Sequence, residues 1–102
     1  MSQTFEKICA TLITLHNKKG VDYGKGNDQY ANVRASLDFG VLPWVGALIR
    51  QNDKIKRLQS FVTKGRLENE SVEDSLMDNA VYAIIALVLY YEQEASHVTP
   101  HV

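Results

Sequence analysis

The chain contains little of several residue types that would place it in a class at once. It has one cysteine, Cys9, and two prolines among its 102 residues, and its acidic and basic residues nearly cancel to a net charge of -1. A single cysteine excludes an intrachain disulfide and is typical of a reducing compartment, so we expect a cytoplasmic protein. The balanced charge provides neither the basic field that attracts nucleic acid nor an acidic tail, so we expect no nucleic-acid partner.

The chain also has no apolar run of membrane-spanning length. Its longest run, residues 80–91, is about a dozen residues long, whereas a spanning helix needs about 20 apolar residues. Residues 1–6 contain no basic segment followed by an apolar one, so we expect no signal peptide. We therefore expect no membrane partner and interpret residues 80–91 as part of a buried helix.

Apolar residues recur at helical spacing, and no stretch alternates with the period of two that strands require. We therefore predict an all-α fold, a bundle of three main helices in a single domain (residues 1–95) with a flexible tail (96–102). Helix starts and stops are expected at Pro43, Gly65 and a Ser71 N-cap, with Gly20 ending the first helix. The predicted main helices cover residues 4–19, 43–64 and 71–94, and a short helix is expected within 33–39, inside an ordered loop.

The third main helix is apolar nearly all the way round at residues 80–91. A lone three-helix domain could not cover such a helix, and small domains are often stabilised by oligomerisation. We therefore predict a homo-oligomer with this helix at or near the subunit interface.

Three carboxylates, Glu70, Asp74 and Asp78, precede that apolar run at four-residue intervals. Residues spaced by four share one face of a helix, and the same stripe continues to Val81 and Ile85. Clustered acids at the edge of a core need a counter-charge, which a divalent cation bound by oxygen ligands would provide. The alternative is ordinary capping and helix-dipole chemistry, which explains the first acids well but explains Asp78 poorly.

The second main helix has a predicted apolar face and a charged cluster on its opposite side. The cluster could hold phosphates with its cations, while Asp53 supplies another metal ligand; alternatively it is a solvated face with weak salt bridges. The predicted apolar face comprises Trp44, Val45, Leu48, Ile55, Leu58 and Val62, and the cluster comprises Arg50, Asp53, Lys54 and Arg57.

Residues 18–24 join the end of the first helix to a glycine-containing loop. Lys19 and the loop amides could hold phosphate, and Tyr23 could stack on a base, with Asp22 and Asn32 as further polar contacts. The alternative is a helix C-cap and turn with Tyr23 as an apolar plug. The segment is not a P-loop, because the terminal Lys-Ser/Thr pair is missing.

Three motifs together resemble the nucleotide modification associated domain 1 family, many of whose members are phage or bacterial proteins. They also resemble the wider MazG-like all-α nucleoside triphosphate pyrophosphatases. The resemblance runs from the first helix to Tyr91. The motifs are Lys18-x-x-x-Asp22-Tyr23-Gly24, Asp53-Lys54-x-x-Arg57-Leu58, and Glu70-Ser71-x-x-Asp74-x-Leu76-x-Asp78-x-Ala80-x-Tyr82-Ala83.

This resemblance implies a helical bundle that dimerises or tetramerises in a bacterial or phage-infected cytoplasm. It implies cleavage of a nucleoside triphosphate to the monophosphate and pyrophosphate with Mg²⁺, for which Mn²⁺ can substitute. Carried over, the metal ligands are Asp53, Asp74 and Asp78, with Glu70 assisting. Lys54, Arg57 and Lys19 would hold phosphates, with Arg50 beside them, and Tyr23 or Tyr82 would stack on the base.

The pattern departs from the MazG type, which has Glu-x-x-Glu on one helix and Glu-x-x-Asp on the next. Here the second helix offers only Asp53, and Ser75 stands where the Glu of the second motif would fall. The leading hypothesis is a pyrophosphohydrolase with Asp74, Asp78 and Lys54 in catalytic roles. The rival hypothesis, which the missing acid favours, is a module that sequesters a nucleotide without cleaving it.

Overall fold

The computed structural model of the protein describes residues 4–23, 30–66 and 71–97. These residues form α1 (Phe5–Tyr23), α2 (Ala31–Arg34), a 3₁₀ helix (Ala35–Phe39), α3 (Pro43–Lys64) and α4 (Val72–His97), with no strand among them. The predicted all-α class is therefore confirmed. No helix in this part of the chain combines the length and apolarity that crossing a membrane requires.

The chain divides into two compact units, Met1–Asn32 and Val33–Val102. The predicted single domain over residues 1–95 stays a prediction. The predicted helix end at residue 94 is too early, because α4 continues to His97. The flexible tail predicted at 96–102 stays a prediction. Residues 98–102 lie outside the described residues.

Helix α1 is the main described element of the first unit. The Thr4 hydroxyl accepts a hydrogen bond from the amide of Lys7 at 3.2 Å and caps the helix start. The predicted stop at Gly20 is wrong, since the helix continues to Tyr23. Glycine costs only about 1 kcal/mol inside a helix and ends one when it adopts a positive φ, which Gly20 does not.

Among the described residues of this unit, His16 and Tyr30 form a side-chain pair. His16 stacks on Tyr30 with ring centroids 5.6 Å apart, and His16 Nε2 lies 3.1 Å from the Tyr30 hydroxyl. Tyr30 therefore lies against α1.

The boundaries predicted for α3 are confirmed. Pro43 opens the helix, where its missing N–H is not needed. Gly65 ends it at φ 80°, and its amide donates a 2.7 Å hydrogen bond to the Phe61 carbonyl. Only glycine adopts this left-handed conformation without a steric cost, so the stop is read directly from the chain.

The start of α4 also follows its local signal. The Ser71 hydroxyl accepts a 3.0 Å hydrogen bond from the amide of Asp74, as an N-cap does. The short helix expected at 33–39 is present as α2 and the 3₁₀ helix, which Gly40 ends at φ 75°. Local sequence signals therefore determine most helix ends in the second unit.

Helices α3 and α4 pack antiparallel and form the core of the second unit. Lys54 lies opposite Asp78, and Trp44 meets Tyr90 edge-to-face with centroids 5.6 Å apart. Residues later in α3 therefore contact residues earlier in α4. The buried apolar side chains of this unit are Val33, Ala47, Ile85, Ala86 and Leu89.

The predicted apolar face of α3 is in part wrong. Val62 is 81% exposed, and Leu48 and Ile55 are exposed as well. The buried positions are instead Gly46 and Ala47. Small residues occupy the contact because the 3₁₀ helix crosses α3 closely there: a Cβ built on Gly46 would lie 2.8 Å from the Ser36 hydroxyl.

Candidate functional site

The candidate site is an ion pair between the two long helices. Lys54 Nζ on α3 lies 3.0 Å from Asp78 Oδ2 on α4, and the two side chains are only 19% and 11% exposed. Lys54 was predicted on the side of α3 opposite the core; this is a correction, because it faces α4. The prediction that Asp78 lies at the edge of the buried face agrees with its burial.

Asp78 lies on the buried face of α4, together with Ser75. Residues separated by three or four positions share a face of a helix. Asp78 therefore reaches Lys54 because this face of α4 packs against α3.

Burial makes this pair costly to break. Two charges removed from water lose their hydration, and only their mutual attraction and additional hydrogen bonds offset that loss. Removing one partner of such a pair typically costs about 3–5 kcal/mol, because the other charge is left buried alone. The Asp78 carboxylate can therefore bind another cation only when that cation replaces the charge of Lys54.

Two further oxygens on the same part of α4 have no hydrogen-bond partner. Ser75 is 0% exposed, and its hydroxyl is unpartnered, as is the Oδ1 atom of Asn79. An unsatisfied buried polar group costs about 1–3 kcal/mol, so in a native fold it normally has a bound water, an ion or a ligand to explain it. Ser75 and Asn79 were not predicted as site residues.

The spacing of Ser75, Asp78 and Asn79 in the sequence already indicated that they share one helix face. Ser75, Asp78 and Asn79 stand at i, i+3 and i+4, which is one face of a helix. The charged stripe through residues 70, 74 and 78 does not include Ser75, which the sequence shows only where a MazG-type motif has Glu. Neutral oxygens carry no charge signal and emerge only when burial is known.

The other predicted site residues of α3 and α4 are more exposed than the Lys54–Asp78 pair. Asp74 is exposed, and its backbone amide donates to the cap. Asp53 and Arg50 are exposed on α3, Arg57 is also exposed, and Tyr82 is half-buried on α4. The structure therefore brings Lys54 and Asp78 together, but it places Asp53 and Arg50 toward solvent.

The remaining candidates lie in the first unit or outside the described residues. Asn32 is exposed and lies in the first unit, Met1–Asn32. Glu70 and the side chains of Lys19, Asp22 and Tyr23 lie outside the described residues. Their backbones at 19–23 are helical, so the glycine-containing loop predicted from residue 20 onward begins later than expected.

A metal site built from acids is not assembled in the described ranges. Within residues 4–23, 30–66 and 71–97, no group of three or more His, Cys, Asp or Glu is placed to hold a metal ion. The predicted ligand set of Asp53, Glu70, Asp74 and Asp78 stays a prediction, because Glu70 lies outside these ranges. The buried oxygens described near the start of α4 are those of the Asp78 carboxylate, the Ser75 hydroxyl and Asn79 Oδ1.

The opposite end of the α3–α4 pair is aromatic. Trp44 packs on Tyr90, whose ring centroid lies 6.3 Å from that of Tyr91. A hydrogen bond to the Glu94 carboxylate, together with its negative charge, raises the pKa of Tyr90 above the ordinary value of 10.0. With a helical rise of about 1.5 Å per residue, Tyr90 lies about 18 Å along α4 from Asp78, so the two regions are separate.

A scan against models of protein families, a search of curated proteins and a search of solved structures each returned no match.

Proposed function

We propose that this protein is a Mg²⁺-dependent nucleoside triphosphate pyrophosphohydrolase, which cleaves a non-standard or deoxynucleoside triphosphate to the monophosphate and pyrophosphate. The observation that supports this most is the buried contact between Lys54 and Asp78. These are two of the positions at which the motifs resemble the phosphate-binding and metal-binding groups of MazG-like enzymes. A purely structural pair of helices has no need of such a costly contact.

The residues at α4 fit a hard cation. Mg²⁺ binds oxygen ligands, usually one or two carboxylates with waters and substrate phosphates. Asp78 provides a carboxylate, and the unpartnered oxygens of Ser75 and Asn79 lie on the same face. A bound Mg²⁺ would neutralise the charge of the triphosphate and polarise it for attack by water.

The chain's own residues would then bind and orient the nucleotide. Asp78 and Asp74, one turn apart on α4, are the proposed catalytic metal ligands, assisted by Asp53 and Glu70. Lys54 and Arg57 would bind the phosphates, where positive charge stabilises the charge that develops as the anhydride bond breaks. Further proposed substrate contacts are Lys19, Asp22, Tyr23, Asn32, Arg50 and Tyr82.

The proposal includes a homo-oligomer, a dimer or tetramer, in the cytoplasm of a bacterium or a phage-infected cell. Helix α4 exposes large apolar side chains along its length, and exposed apolar surface of this extent marks interaction sites. The exposed members are Leu76, Ile84, Leu87 and Tyr91. A second copy on this face would cover them and would bring additional acids near the site.

The direct test is an activity panel. The purified protein is incubated with canonical and modified NTPs and dNTPs, with and without Mg²⁺, and monophosphate and pyrophosphate are separated by chromatography. We expect Mg²⁺-dependent release of both products from one class of nucleotide. Asp78→Asn should abolish this release, and circular dichroism must show that the variant is folded, because it leaves the Lys54 ammonium without its carboxylate.

A second candidate function is nucleotide sequestration without cleavage. Two observations favour it: Lys54 already neutralises Asp78, and among residues 4–23, 30–66 and 71–97 no group of three acids, histidines or cysteines is placed for a metal. In that case every nucleotide stays intact in the panel, and one remains bound to the protein after desalting.

A further inference from the structure

Helix α3 carries an exposed apolar stripe. Leu48, Ile55 and Val62 follow one another at intervals of seven residues, and all three are exposed. A repeat of seven residues keeps the same face of a helix turned toward a neighbouring helix along its whole length. The α3 stripe, these three residues, therefore has the spacing by which one helix packs on another.

Helix α4 carries a second stripe with the same kind of spacing. Its members are separated by four and three residues in alternation, which is the spacing of a helix–helix seam. Leu76 is 52% exposed and Leu87 is 49% exposed. The α4 stripe consists of Leu76, Ala80, Ala83, Leu87 and Tyr90.

The two stripes lie on the same side of the helix pair. Lys54 and Trp44 mark the side of α3 that meets α4, and Asp78 and Tyr90 mark the side of α4 that meets α3. At about 100° per residue, the α3 stripe is turned about 60° and the α4 stripe about 100° from these directions, both toward increasing residue number. In antiparallel helices, equal senses of rotation point to one side. Gly46, which lies against the 3₁₀ helix, is turned the opposite way.

The two helices also carry opposite charge. Helix α3 contains five basic residues and one acidic residue, whereas α4 contains five acidic residues and no lysine or arginine. Like charges that meet across an interface oppose association, and unlike charges favour it. The complementary partner for this side is therefore a pair of helices that places an acidic helix beside α3 and a basic helix beside α4. A second copy of this chain is such a pair.

We propose that two copies of this chain associate through the two stripes and form a four-helix bundle, in which each α3 lies beside the α4 of the partner and like helices lie on the diagonals. Burial of the apolar stripes drives the association, and the charges select the pairing. This inference rests on the homo-oligomer of the proposed function, and it names the surface and the pairing through which the oligomer forms.

The first test is the oligomeric state of the full chain, measured by sedimentation velocity over a range of protein concentrations. Leu87→Lys and Val62→Lys should each raise the dissociation constant of the dimer at least about tenfold, because each places an unpaired ammonium in the interface. Leu37→Lys, at a leucine of the 3₁₀ helix that is 55% exposed, is the matched control and should leave the constant unchanged. Circular dichroism confirms the fold of each variant, and the use of two helices keeps the test decisive if one variant does not fold.

The second test is the dependence of the dimer on salt. Raising NaCl from about 0.05 M to about 0.5 M should weaken a dimer in which unlike helices are adjacent, because salt screens their attraction. A dimer that salt strengthens or leaves unchanged overturns the proposed pairing.

The inference and the proposed activity fail separately. A monomeric wild type, or a dimer that both Leu87→Lys and Val62→Lys leave intact, overturns the inference, whatever the nucleotide assay shows. A wild type that forms the dimer described above and releases no pyrophosphate from any nucleotide supports the inference and overturns only the activity.

Discussion

The two ends of the α3–α4 pair are held together by opposite kinds of chemistry. Near the start of α4, a charged pair and two unpartnered oxygens occupy the interface around Asp78. Toward its end, Leu89 is 2% exposed and Trp44 packs on Tyr90. Trp44 Nε1 and Gln93 Oε1 are buried without a partner at this end as well, so the two ends differ chiefly in the charged pair. Apolar burial stabilises the fold, whereas a buried charged pair is a weak source of stability. The aromatic end therefore supports the scaffold, and the polar end is where ligand chemistry is to be sought.

Leu89→Ala tests the apolar end and should have the largest effect on stability. Removing a fully buried leucine side chain loses its transfer free energy and leaves a cavity, which costs about 2–5 kcal/mol. Urea unfolding followed by circular dichroism measures the change. Leu37→Ala, at a leucine that is 55% exposed, is the control and should cost far less; equal losses would contradict the assignment of the core to this end.

At the polar end, single and paired substitutions should differ. Lys54→Met alone should lower the free energy of unfolding by about 3 kcal/mol, because it leaves the Asp78 carboxylate buried without its counter-charge. The double variant Lys54→Met with Asp78→Leu should lie within about 1 kcal/mol of the wild type, since apolar groups of similar size replace a buried pair at little cost. Additive losses in urea unfolding would show that the pair is not coupled.

Gly46→Ala probes the close approach of the 3₁₀ helix to α3. Alanine favours a helix over glycine by about 1 kcal/mol, but here its Cβ would lie 2.8 Å from the Ser36 hydroxyl and 3.2 Å from the Val33 carbonyl oxygen. We expect a net destabilisation of about 1–2 kcal/mol, as overpacking typically produces. The double variant with Ser36→Gly should recover part of the loss, and a stabilised Gly46→Ala would argue against the close crossing.

The smallest effect concerns the pH dependence of the aromatic end. Folding raises the pKa of Tyr90 above 10.0, which means that the folded state favours the neutral phenol. The stabilisation from this preference is fully present below pH 10.0 and is lost as the pH rises through the raised pKa. Glu94→Gln should lower the pKa of Tyr90, since it removes the carboxylate whose hydrogen bond and negative charge are the two largest causes of the shift. Absorbance titration of the tyrosinates measures this, with Tyr90→Phe identifying the Tyr90 signal, and an unchanged titration would contradict the contact.

The helix ends were predictable where a single residue decides the backbone. Pro43, Gly65 and Ser71 each act within one turn, through a fixed φ, a left-handed conformation or a side-chain hydrogen bond. Gly20 was misjudged because glycine is compatible with both a helix interior and a helix stop. The local pattern contains no information on which of the two is realised.

The candidate site was predictable in its charged members and not in its neutral ones. Asp78 was predicted as a site residue because a carboxylate beside an apolar run needs a counter-charge. Asp78 is buried in the structure, which agrees with that prediction. Lys54 was recognised as a candidate but placed on the wrong side of α3. Ser75 and Asn79 were not predicted, because a hydroxyl or an amide indicates a site only when the structure shows that it is buried without a partner.

The sequence by itself determined that the chain is helical, where α3 begins and ends, and where α4 begins, because these depend on the backbone preferences of neighbouring residues. Only the tertiary structure decided which face of α3 meets α4. That choice depends on how surfaces distant in the chain pack together. Lys54 faces Asp78 on α4, whereas Gly46 lies against the 3₁₀ helix. The pairing at the candidate site is therefore a consequence of packing between residues distant in the chain.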